Sequence, residues 1–233
     1  MVGDAAYAQP LIRFLFFKQV IQKIVPSEMI KGTYLDIGCS ESFASLVLSK
    51  YFSETVNTDI EKRMIGRGKQ NCKNNGVNAH FIASDALKLP FMDSSFDVIT
   101  AFSLIEHLSN QNAFLHEANR LLRKNGIFIM QVPNRNFFVE IHTGFPFPAF
   151  ISKKIWRLYC RYLLKIGEFQ VKNLSAREVT ELCNSYFNHT YILECNYTED
   201  SVPPNFRILY KLLSKVGILH VFPMGWIVFC TKN

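Results

Sequence analysis

The stretch Thr33-Tyr34-Leu35-Asp36-Ile37-Gly38-Cys39-Ser40 carries the clearest structural signal in this chain. Residues 33–37 are mostly apolar or β-branched, which predicts a short buried strand that ends at Gly38. Glycine adopts backbone conformations that other residues avoid, and it lets the backbone approach a ligand closely. Residues 41–50 are predicted to form a helix. A strand, a glycine turn and a helix in this order predict the first turn of a nucleotide-binding α/β fold.

Strands and helices continue to alternate after this turn. The further predicted strands are residues 55–59, 79–82, 96–101, 127–132, 191–195 and 225–231, and the further predicted helices are residues 61–74, 111–123 and 175–187. Alternation of this kind favours right-handed βαβ units and a parallel sheet that is covered by helices on both faces. The predicted fold class is therefore α/β, with a Rossmann-like, doubly wound, mostly parallel sheet of seven strands.

Acidic residues stand where three of these strands end. Asp36 and Asp59 lie at the ends of the first and second strands, and Asp85 lies just past the third. Ligands of open α/β sheets bind outside the carboxyl ends of the strands, near the point where the strand order reverses. A carboxylate at the end of the second strand accepts hydrogen bonds from both hydroxyls of a ribose. The sequence therefore predicts a nucleoside-binding site at this edge of the sheet.

Composition and charge limit the class of protein. The chain has 233 residues, of which 48% are apolar and 19% are charged, as is usual for a globular domain. Its formal net charge of +7 allows anionic partners, namely nucleic acid, an anionic membrane surface or an acidic metabolite. The cysteines show no Cys-x-x-Cys spacing, so we expect no metal site. Since neither a signal peptide nor a membrane-spanning run is predicted, we expect a cytoplasmic protein.

Several further motifs occur in a fixed order along the chain. They are Asn57-Thr58-Asp59-Ile60, Ser84-Asp85-Ala86-Leu87-Lys88-Leu89-Pro90-Phe91, Phe96-Asp97-Val98-Ile99, Ser103-Leu104-Ile105-Glu106-His107-Leu108 and Leu121-Leu122-Arg123-Lys124-Asn125-Gly126. With these motifs, residues 33–132 resemble the class I S-adenosylmethionine-dependent methyltransferases, specifically a small-molecule and lipid subgroup with a Leu-Asp-Ile-Gly-Cys opening. Residues 175–233 resemble the family more loosely. The resemblance implies S-adenosylmethionine as the cofactor, lid insertions and a last strand that runs antiparallel.

The resemblance also implies a cofactor site built from residues at the strand ends. Its implied members are Asp36, Gly38, Ser40, Asp59, Ile60, Asp85, Ala86 and Ser103. The first three would border the methionine part of the cofactor, and Asp59 would hold the ribose. Ile60 would pack on the adenine, the next two residues would meet the adenine edge, and Ser103 would line the site near the reactive methyl group.

Two positions depart from the pattern of the family. Its members usually have glycine where this chain has Ser42, and often where it has Ser40. A dinucleotide needs several glycines because its pyrophosphate touches the backbone, whereas S-adenosylmethionine has a carboxylate and an ammonium instead. We therefore expect serines to be tolerated and even to donate to that carboxylate. Ser42 is at the same time the main support for a domain that has kept the fold and lost catalysis.

The whole chain is predicted to be one methyltransferase domain, residues 1–233, around a cofactor-binding core at residues 33–132. Residues 1–30 would form an N-terminal helical cap. Residues 133–172 and 196–224 would form lid or substrate insertions.

Three residues are candidate general bases. Methyl transfer from a sulfonium mainly needs alignment, but a base helps where the acceptor is a hydroxyl or an acidic carbon. His107 stands just past the fourth predicted strand, and Glu140 and His142 stand in the aromatic segment after the fifth. For both histidines a purely structural role is the alternative.

Two segments carry basic residues at every fourth position, interleaved with apolar residues. The basic residues are Lys153, Arg157, Arg161 and Lys165 in the first segment and Arg207, Lys211 and Lys215 in the second. This spacing places each set on one face of a helix. Such helices are typical of peripheral contact with an anionic membrane, and equally of a solvated face above a core-packing face. Membrane contact would favour a lipid-like acceptor in an apolar pocket lined by Phe145, Phe147 and Phe150.

The predicted function is methyl transfer from S-adenosylmethionine to oxygen or carbon of a small-molecule or lipid-like acceptor. One alternative is a non-catalytic module that binds the same cofactor. Another is an RNA methyltransferase, which the net charge permits, although neither an RNA-binding module nor the Asn-Pro-Pro-Tyr signature of base-amino methylation is found. A nicotinamide dehydrogenase is disfavoured because Gly-x-Gly-x-x-Gly is missing.

Overall fold

A computed structural model describes residues 25, 31–137, 139–140, 145–146, 155, 158, 172–195, 207–221 and 223–233. Most of the predicted N-terminal cap and of both predicted insertions lies outside these residues. His142, Phe147, Phe150 and the first basic set also lie outside them.

The strands have the following bounds: β1 (Thr33–Ile37), β2 (Glu54–Asp59), β3 (His80–Ala83), β4 (Phe96–Phe102), β5 (Leu122–Pro133), β6 (Val139–Glu140), β7 (Phe145–Pro146), β8 (His189–Cys195) and β9 (Gly225–Thr231). Among the described residues, seven strands form one sheet in the order β3-β2-β1-β4-β5-β9-β8, and β6 pairs with β7 in a separate ribbon. Neighbours from β3 to β5 are parallel, and β9 is antiparallel to both β5 and β8. The predicted sheet and its antiparallel last strand are confirmed.

The helices have the following bounds: α1 (Phe43–Leu48), α2 (Lys62–Asn74), α3 (Gln111–Leu121), α4 (Ala176–Asn184), α5 (Arg207–Lys215) and α6 (Ile218–Val221), with short 3₁₀ helices at Ser49–Tyr51 and Ile105–His107. The start of α4 is fixed by a capping box, in which the side chains of Ser175 and Glu178 each bond the backbone N–H of the other. No helix within the described ranges is both long and apolar enough to cross a bilayer.

The predicted end of the third helix is wrong. The sequence predicts helix to Arg123 and a strand from Ile127, but α3 ends at Leu121 and β5 begins at Leu122. Leu122 is fully buried and pairs with Phe96 of β4, so the chain passes directly from helix to strand. Burial of this leucine against the neighbouring strand outweighs its helix propensity.

The two faces of the sheet bury separate apolar layers. One layer joins β-strand side chains such as Leu35 and Phe128 to Phe114 of α3 and Val179 of α4. The other joins the opposite side chains of the same strands to helices α1 and α5. Because both faces are covered, the carboxyl edge of β1, β2 and β3 is the open side of this half of the sheet.

Candidate functional site

The turn after β1 folds onto the end of β2. The N–H groups of Gly38 and Cys39 both donate to the carbonyl of Thr58, at 2.8 and 2.9 Å. Gly38 has a φ of 71°, and a Cβ at this position would lie 2.8 Å from Cδ1 of Leu104. Both the left-handed backbone and the contact with Leu104 therefore require glycine. Leu104 follows β4, so the two chain segments meet at the point where the strand order reverses.

Asp59, at the end of β2, holds the loops on both sides of it. Its Oδ2 accepts a hydrogen bond from the N–H of Ser40 and its Oδ1 accepts one from the N–H of Glu61, both at 2.9 Å. A carboxylate offers about four lone-pair sites, so about two remain here, one on each oxygen. The two hydroxyl groups of a ribose are donors that match these sites. Ser40 thus contributes its backbone N–H, while its hydroxyl lies 4.0 Å from the sulfur of Met64.

The loop after β3 reaches the same edge. The N–H of Ser84 donates to the carbonyl of Asp59 at 2.9 Å, and the exposed Asp85 follows directly. Oδ1 of Asp85 accepts from the N–H of Leu87 at 2.9 Å. Ala86 is buried, whereas Ile60 beside Asp59 is 69% exposed. An exposed apolar side chain next to the carboxylate of Asp59 suits an apolar ring with polar edges, because small-ligand sites are usually lined by apolar side chains and a few polar groups.

Arg120 of α3 clamps the loop between β3 and β4. Its guanidinium donates to the carbonyls of Leu89 and Phe91 at 3.2 and 2.9 Å and to the carboxylate of Asp93 at 2.6 Å. It also donates to both oxygens of Glu117, at 2.8 and 2.7 Å, and Glu117 accepts the N–H of Leu89 as well. The hydrogen bond from Arg120 lowers the pKa of Glu117. These bonds fix the path of the loop that carries Asp85 and Ala86.

Asp36 is buried at the end of a chain of hydroxyl groups. Oγ1 of Thr100 donates to Oδ1 of Asp36 at 2.7 Å, and the hydroxyl of Tyr34 lies 2.7 Å from the same Oγ1. Because the Thr100 proton is used on Asp36, Tyr34 is the donor of the second bond.

Burial raises the pKa of Asp36 from 3.8 to about 7, against the effect of the Thr100 hydrogen bond and with a contribution from the charge on Asp59. A carboxyl group whose pKa is higher in the folded state stabilises the fold at low pH. That stabilisation is lost as the pH rises from 3.8 to about 7. A cation bound beside Asp36 would favour its charged form.

Ser103 stands just after β4 in a left-handed conformation, with a φ of 50°. Its N–H donates to the carbonyl of Gln131 at 3.0 Å, and its hydroxyl donates to Oε1 of the same residue. Gln131 is fully buried, and its Nε2 has no hydrogen-bond partner among the described residues. The two bonds therefore tie the segment that follows β4 to the neighbouring strand β5.

The structure places two of the three candidate bases. His107 ends the 3₁₀ helix after β4, is exposed, and has its Nε2 4.0 Å from Oε1 of the buried Glu106. Glu140 lies in β6 and pairs with Phe145 of β7. His142 lies outside the described residues.

Ser42 is buried against α2. Its backbone is left-handed, with a φ of 61°, and its side chain is completely covered. A Cβ on Gly68 of α2 would lie 2.5 Å from Oγ of Ser42 and 3.2 Å from its Cβ. The side chain therefore packs against α2, so the idea that this hydroxyl donates to a cofactor carboxylate gains no support. The absence of a side chain at Gly68 leaves room for the side chain of Ser42.

This pairing predicts an unusual response to glycine substitution. Gly68→Ala is expected to destabilise the protein by about 1 to 2 kcal/mol through overpacking, although alanine normally stabilises a helix. In a Ser42→Gly background the same change should cost less, because only the contact with Cε1 of Phe81, at 3.0 Å, would remain. The measurement is urea unfolding of the two single variants and the double variant, with an expected coupling of at least about 1 kcal/mol.

Gly66 is the matched control on the same helix, because a Cβ there would meet nothing within 4 Å. Gly66→Ala should stabilise by about 1 kcal/mol. Equal effects of Gly68→Ala in both backgrounds would contradict the pairing.

Sequence reasoning missed the residues that support the site. They are Tyr34, Thr100, Gln131, Glu117, Arg120 and Gly68. Thr100 and Gln131 are polar residues inside strands that are otherwise apolar, which is a signal that could have identified them. Gly68 is a glycine inside a helix, which often has a packing reason.

The described residues contain no group of three or more acidic, cysteine or histidine side chains able to hold a metal ion. The observations above instead fit S-adenosylmethionine. Asp59 has acceptor sites for a ribose, Ile60 is an exposed apolar platform, and the buried Asp36 suits a cationic neighbour.

Comparison with known proteins agrees with this site. Residues 35–130 match the family described as "Methyltransferase domain". An uncharacterised methyltransferase of Bacillus subtilis, YcgJ, is 33% identical over 97 residues, which are 41% of this chain and 38% of that protein. A demethylmenaquinone methyltransferase of Staphylococcus haemolyticus is 27% identical over 136 residues, covering 57% of this chain and 52% of that protein. The chain thus spans about half or less of the length of these curated relatives.

A solved structure from Thermotoga maritima has the same fold. It is an S-adenosylmethionine-dependent methyltransferase described as a possible histamine N-methyltransferase, and it covers 96% of this chain and 91% of its own with a TM-score of 0.61 and 17% identity. At this sequence identity the structural similarity shows the fold alone. The similarity in function is supported by the family match and by the residues at the strand ends. Residues 35–130 of this chain thus match a methyltransferase domain and are similar to S-adenosylmethionine-dependent methyltransferases.

Proposed function

We propose that the chain binds S-adenosylmethionine at the carboxyl edge of β1, β2 and β3 and transfers a methyl group to oxygen or carbon of a small-molecule or lipid-like acceptor. The observation that supports this most strongly is the arrangement around Asp59. One oxygen of this carboxylate anchors the β1 turn and the other anchors the start of α2, and each keeps a further acceptor site beside the exposed Ile60.

These residues would contact different parts of the cofactor. Asp59 would accept the ribose hydroxyls, Ile60 and Ala86 would contact the adenine, and Asp85 would accept from the adenine amino group. Asp36 and the turn at Gly38 would border the methionine part. When bound, the cofactor supplies a methyl group on a sulfonium, which is already activated, so the protein mainly has to align an acceptor. His107, at the end of the 3₁₀ helix that follows β4 and beside Glu106, is the described candidate for a base that takes a proton from that acceptor.

Binding of S-adenosylmethionine is expected to depend on the protonation of Asp36. The ammonium and sulfonium charges of the cofactor favour the charged carboxylate, so binding below the pKa of about 7 should release a proton. Affinity should then rise up to about tenfold per pH unit below that pKa and level off above it. Calorimetric titration in buffers of different ionisation enthalpy measures the proton release directly.

Asp36→Asn is the control for this dependence. The α-amino group of the cofactor also titrates, near pH 8, and it does so with both proteins. The quantity of interest is therefore the difference between the two pH profiles. The profiles should converge at low pH, where Asp36 is protonated, and separate as the pH approaches 7. Profiles that stay parallel from about pH 5 to pH 8 would contradict the role of Asp36.

A lipid-like acceptor is the favoured class. One curated relative is named a demethylmenaquinone methyltransferase, and menaquinones are isoprenoid lipids. The chain also exposes apolar side chains next to basic ones on α5. The alternative of a non-catalytic binding module rested on Ser42, and Gly68 accommodates that residue without disturbing the β1 turn.

The experiment that tests the proposal is incubation of the protein with methyl-labelled S-adenosylmethionine and separate lipid and aqueous fractions of a cell extract. We expect label in a product of the lipid fraction, and no label when Asp59→Ala replaces the natural protein. Label in RNA would favour the RNA methyltransferase instead. Tight cofactor binding with no labelled product in any fraction would favour the non-catalytic module.

A further inference from the structure

Helix α5 exposes a row of apolar side chains. Ile208 is 76% exposed, Leu212 is 57% exposed and Val216, in the turn that continues the helix, is 67% exposed. Leu209 beside them is 45% exposed. Exposed apolar residues that occur singly are normal, whereas a contiguous set marks an interaction surface.

The helix is oriented by its opposite side. Tyr210 is buried in the core layer that also contains Cys195 and Ile227, and Leu213 packs against the same layer. Residues four apart share a helix face, so Ile208, Leu212 and Val216 form one outward row. The N–H of Val216 donates to the carbonyl of Leu212, which keeps the third member in helical register.

Basic residues flank this row on its solvent side. Lys211 and Lys215 are exposed and lie four positions apart, so they form a second row beside the apolar one. From the core side outward, α5 therefore presents a buried face, an apolar exposed strip and a lysine row. This is the order found in helices that lie in the plane of a membrane interface.

The edge strand β8 adds to the same side of the sheet. Tyr191 and Leu193 are 59% and 46% exposed, and they pair with Phe229 and Ile227 of β9. Directly opposed residues of antiparallel strands share a face. Since Phe229 and Ile227 belong to the layer that buries Tyr210, the two exposed β8 side chains lie on the α5 side of the sheet.

We propose that the surface formed by α5 and Val216 docks on an anionic lipid membrane. The apolar row would enter the boundary between headgroups and acyl chains, and the lysine row would lie among anionic headgroups. The formal net charge of +7 adds a favourable long-range term. A second copy of the chain is a poorer occupant, because two-fold pairing of this surface sets like-charged lysine rows near each other.

The test is flotation of the full chain with two kinds of vesicle, one of phosphatidylcholine alone and one of equal parts phosphatidylcholine and phosphatidylglycerol. We expect binding to the anionic vesicles that weakens in high salt. Ile208→Ser/Leu212→Ser should lower the partition coefficient at least about tenfold by removing buried apolar area. Lys211→Glu/Lys215→Glu should lower it by at least about tenfold through charge.

Matched controls exist on the same molecule. Lys69→Glu/Lys73→Glu makes the same change in charge at the same spacing on the exposed side of α2, and Met92→Ser removes an apolar side chain that is 82% exposed. Both controls should bind vesicles nearly as well as the natural protein. Equal losses for the α2 and α5 charge variants would reduce the effect to net charge and overturn the proposal. An unchanged Ile208→Ser/Leu212→Ser variant, or one whose only defect in sedimentation is loss of a dimer, would also overturn it.

Discussion

Asp59→Ala is expected to weaken binding of S-adenosylmethionine at least about a hundredfold, since it removes two charge-assisted hydrogen bonds of about 1.5 to 3 kcal/mol each. The same change removes the acceptors for the N–H groups of Ser40 and Glu61, so the β1 turn and the start of α2 lose their common anchor. Asp59→Asn keeps a single acceptor oxygen, so its affinity for S-adenosylmethionine should lie between those of the natural protein and Asp59→Ala. Isothermal calorimetry measures all three affinities.

A cofactor analogue separates the two effects of Asp59. S-adenosylhomocysteine that lacks both ribose hydroxyls should bind the natural protein weakly, and Asp59→Ala should then cause little further loss. An undiminished further loss would assign the effect to the turn alone. Asp97→Asn is the matched control, because Asp97 also accepts a backbone N–H, that of Thr33, but stands at the amino end of β4. It should lower stability and leave cofactor affinity unchanged.

Arg120→Ala is expected to lower the free energy of unfolding by about 3 kcal/mol, because it leaves Glu117 buried without its partner. This loss of unfolding free energy is at the lower end of the range usual for a broken buried ion pair, because 25% of the Arg120 side chain is exposed. The carbonyls of Leu89 and Phe91 lose their donors at the same time, so the loop behind Asp85 should loosen and cofactor affinity should fall about tenfold. Urea unfolding and calorimetry measure the two effects.

Arg177→Ala is the control for an exposed pair. Arg177 bonds Glu181 on the surface of α4, so its loss should leave stability nearly unchanged. A double change, Arg120→Met with Glu117→Leu, should recover stability but leave the loop unanchored. Recovery of cofactor affinity in that variant would contradict the clamping role of Arg120.

The strand ends and the acids that occupy them were predictable because they depend on local sequence. Alternation of apolar runs located β1 to β4, and the position of Asp59 within its run placed it at the carboxyl edge. To predict the role of a residue such as Thr100, the register between the strands would have to be known. Asp36 meets Thr100 because β1 and β4 pair in that register, although the two residues are 64 positions apart. No local pattern contains that information.

Packing between helices could not be predicted from the sequence either. The sequence shows Ser42 as a departure from the family pattern, but not that Gly68 faces it across α1 and α2. It also shows Leu121 and Leu122 as one apolar pair, although the first ends a helix and the second begins a strand. In both cases the local structure depends on the surface against which the side chain is buried. Tertiary contacts therefore override local propensity.

The position of β9 has a consequence for synthesis of the chain. Because β9 pairs with both β5 and β8, the strand formed by residues 122–133 keeps an open hydrogen-bonding edge until residue 231 has left the ribosome. An unpaired, apolar strand edge is prone to intermolecular pairing. We therefore expect the nascent chain to be prone to aggregation through the edge of β5 until β9 has been synthesised and has paired with it.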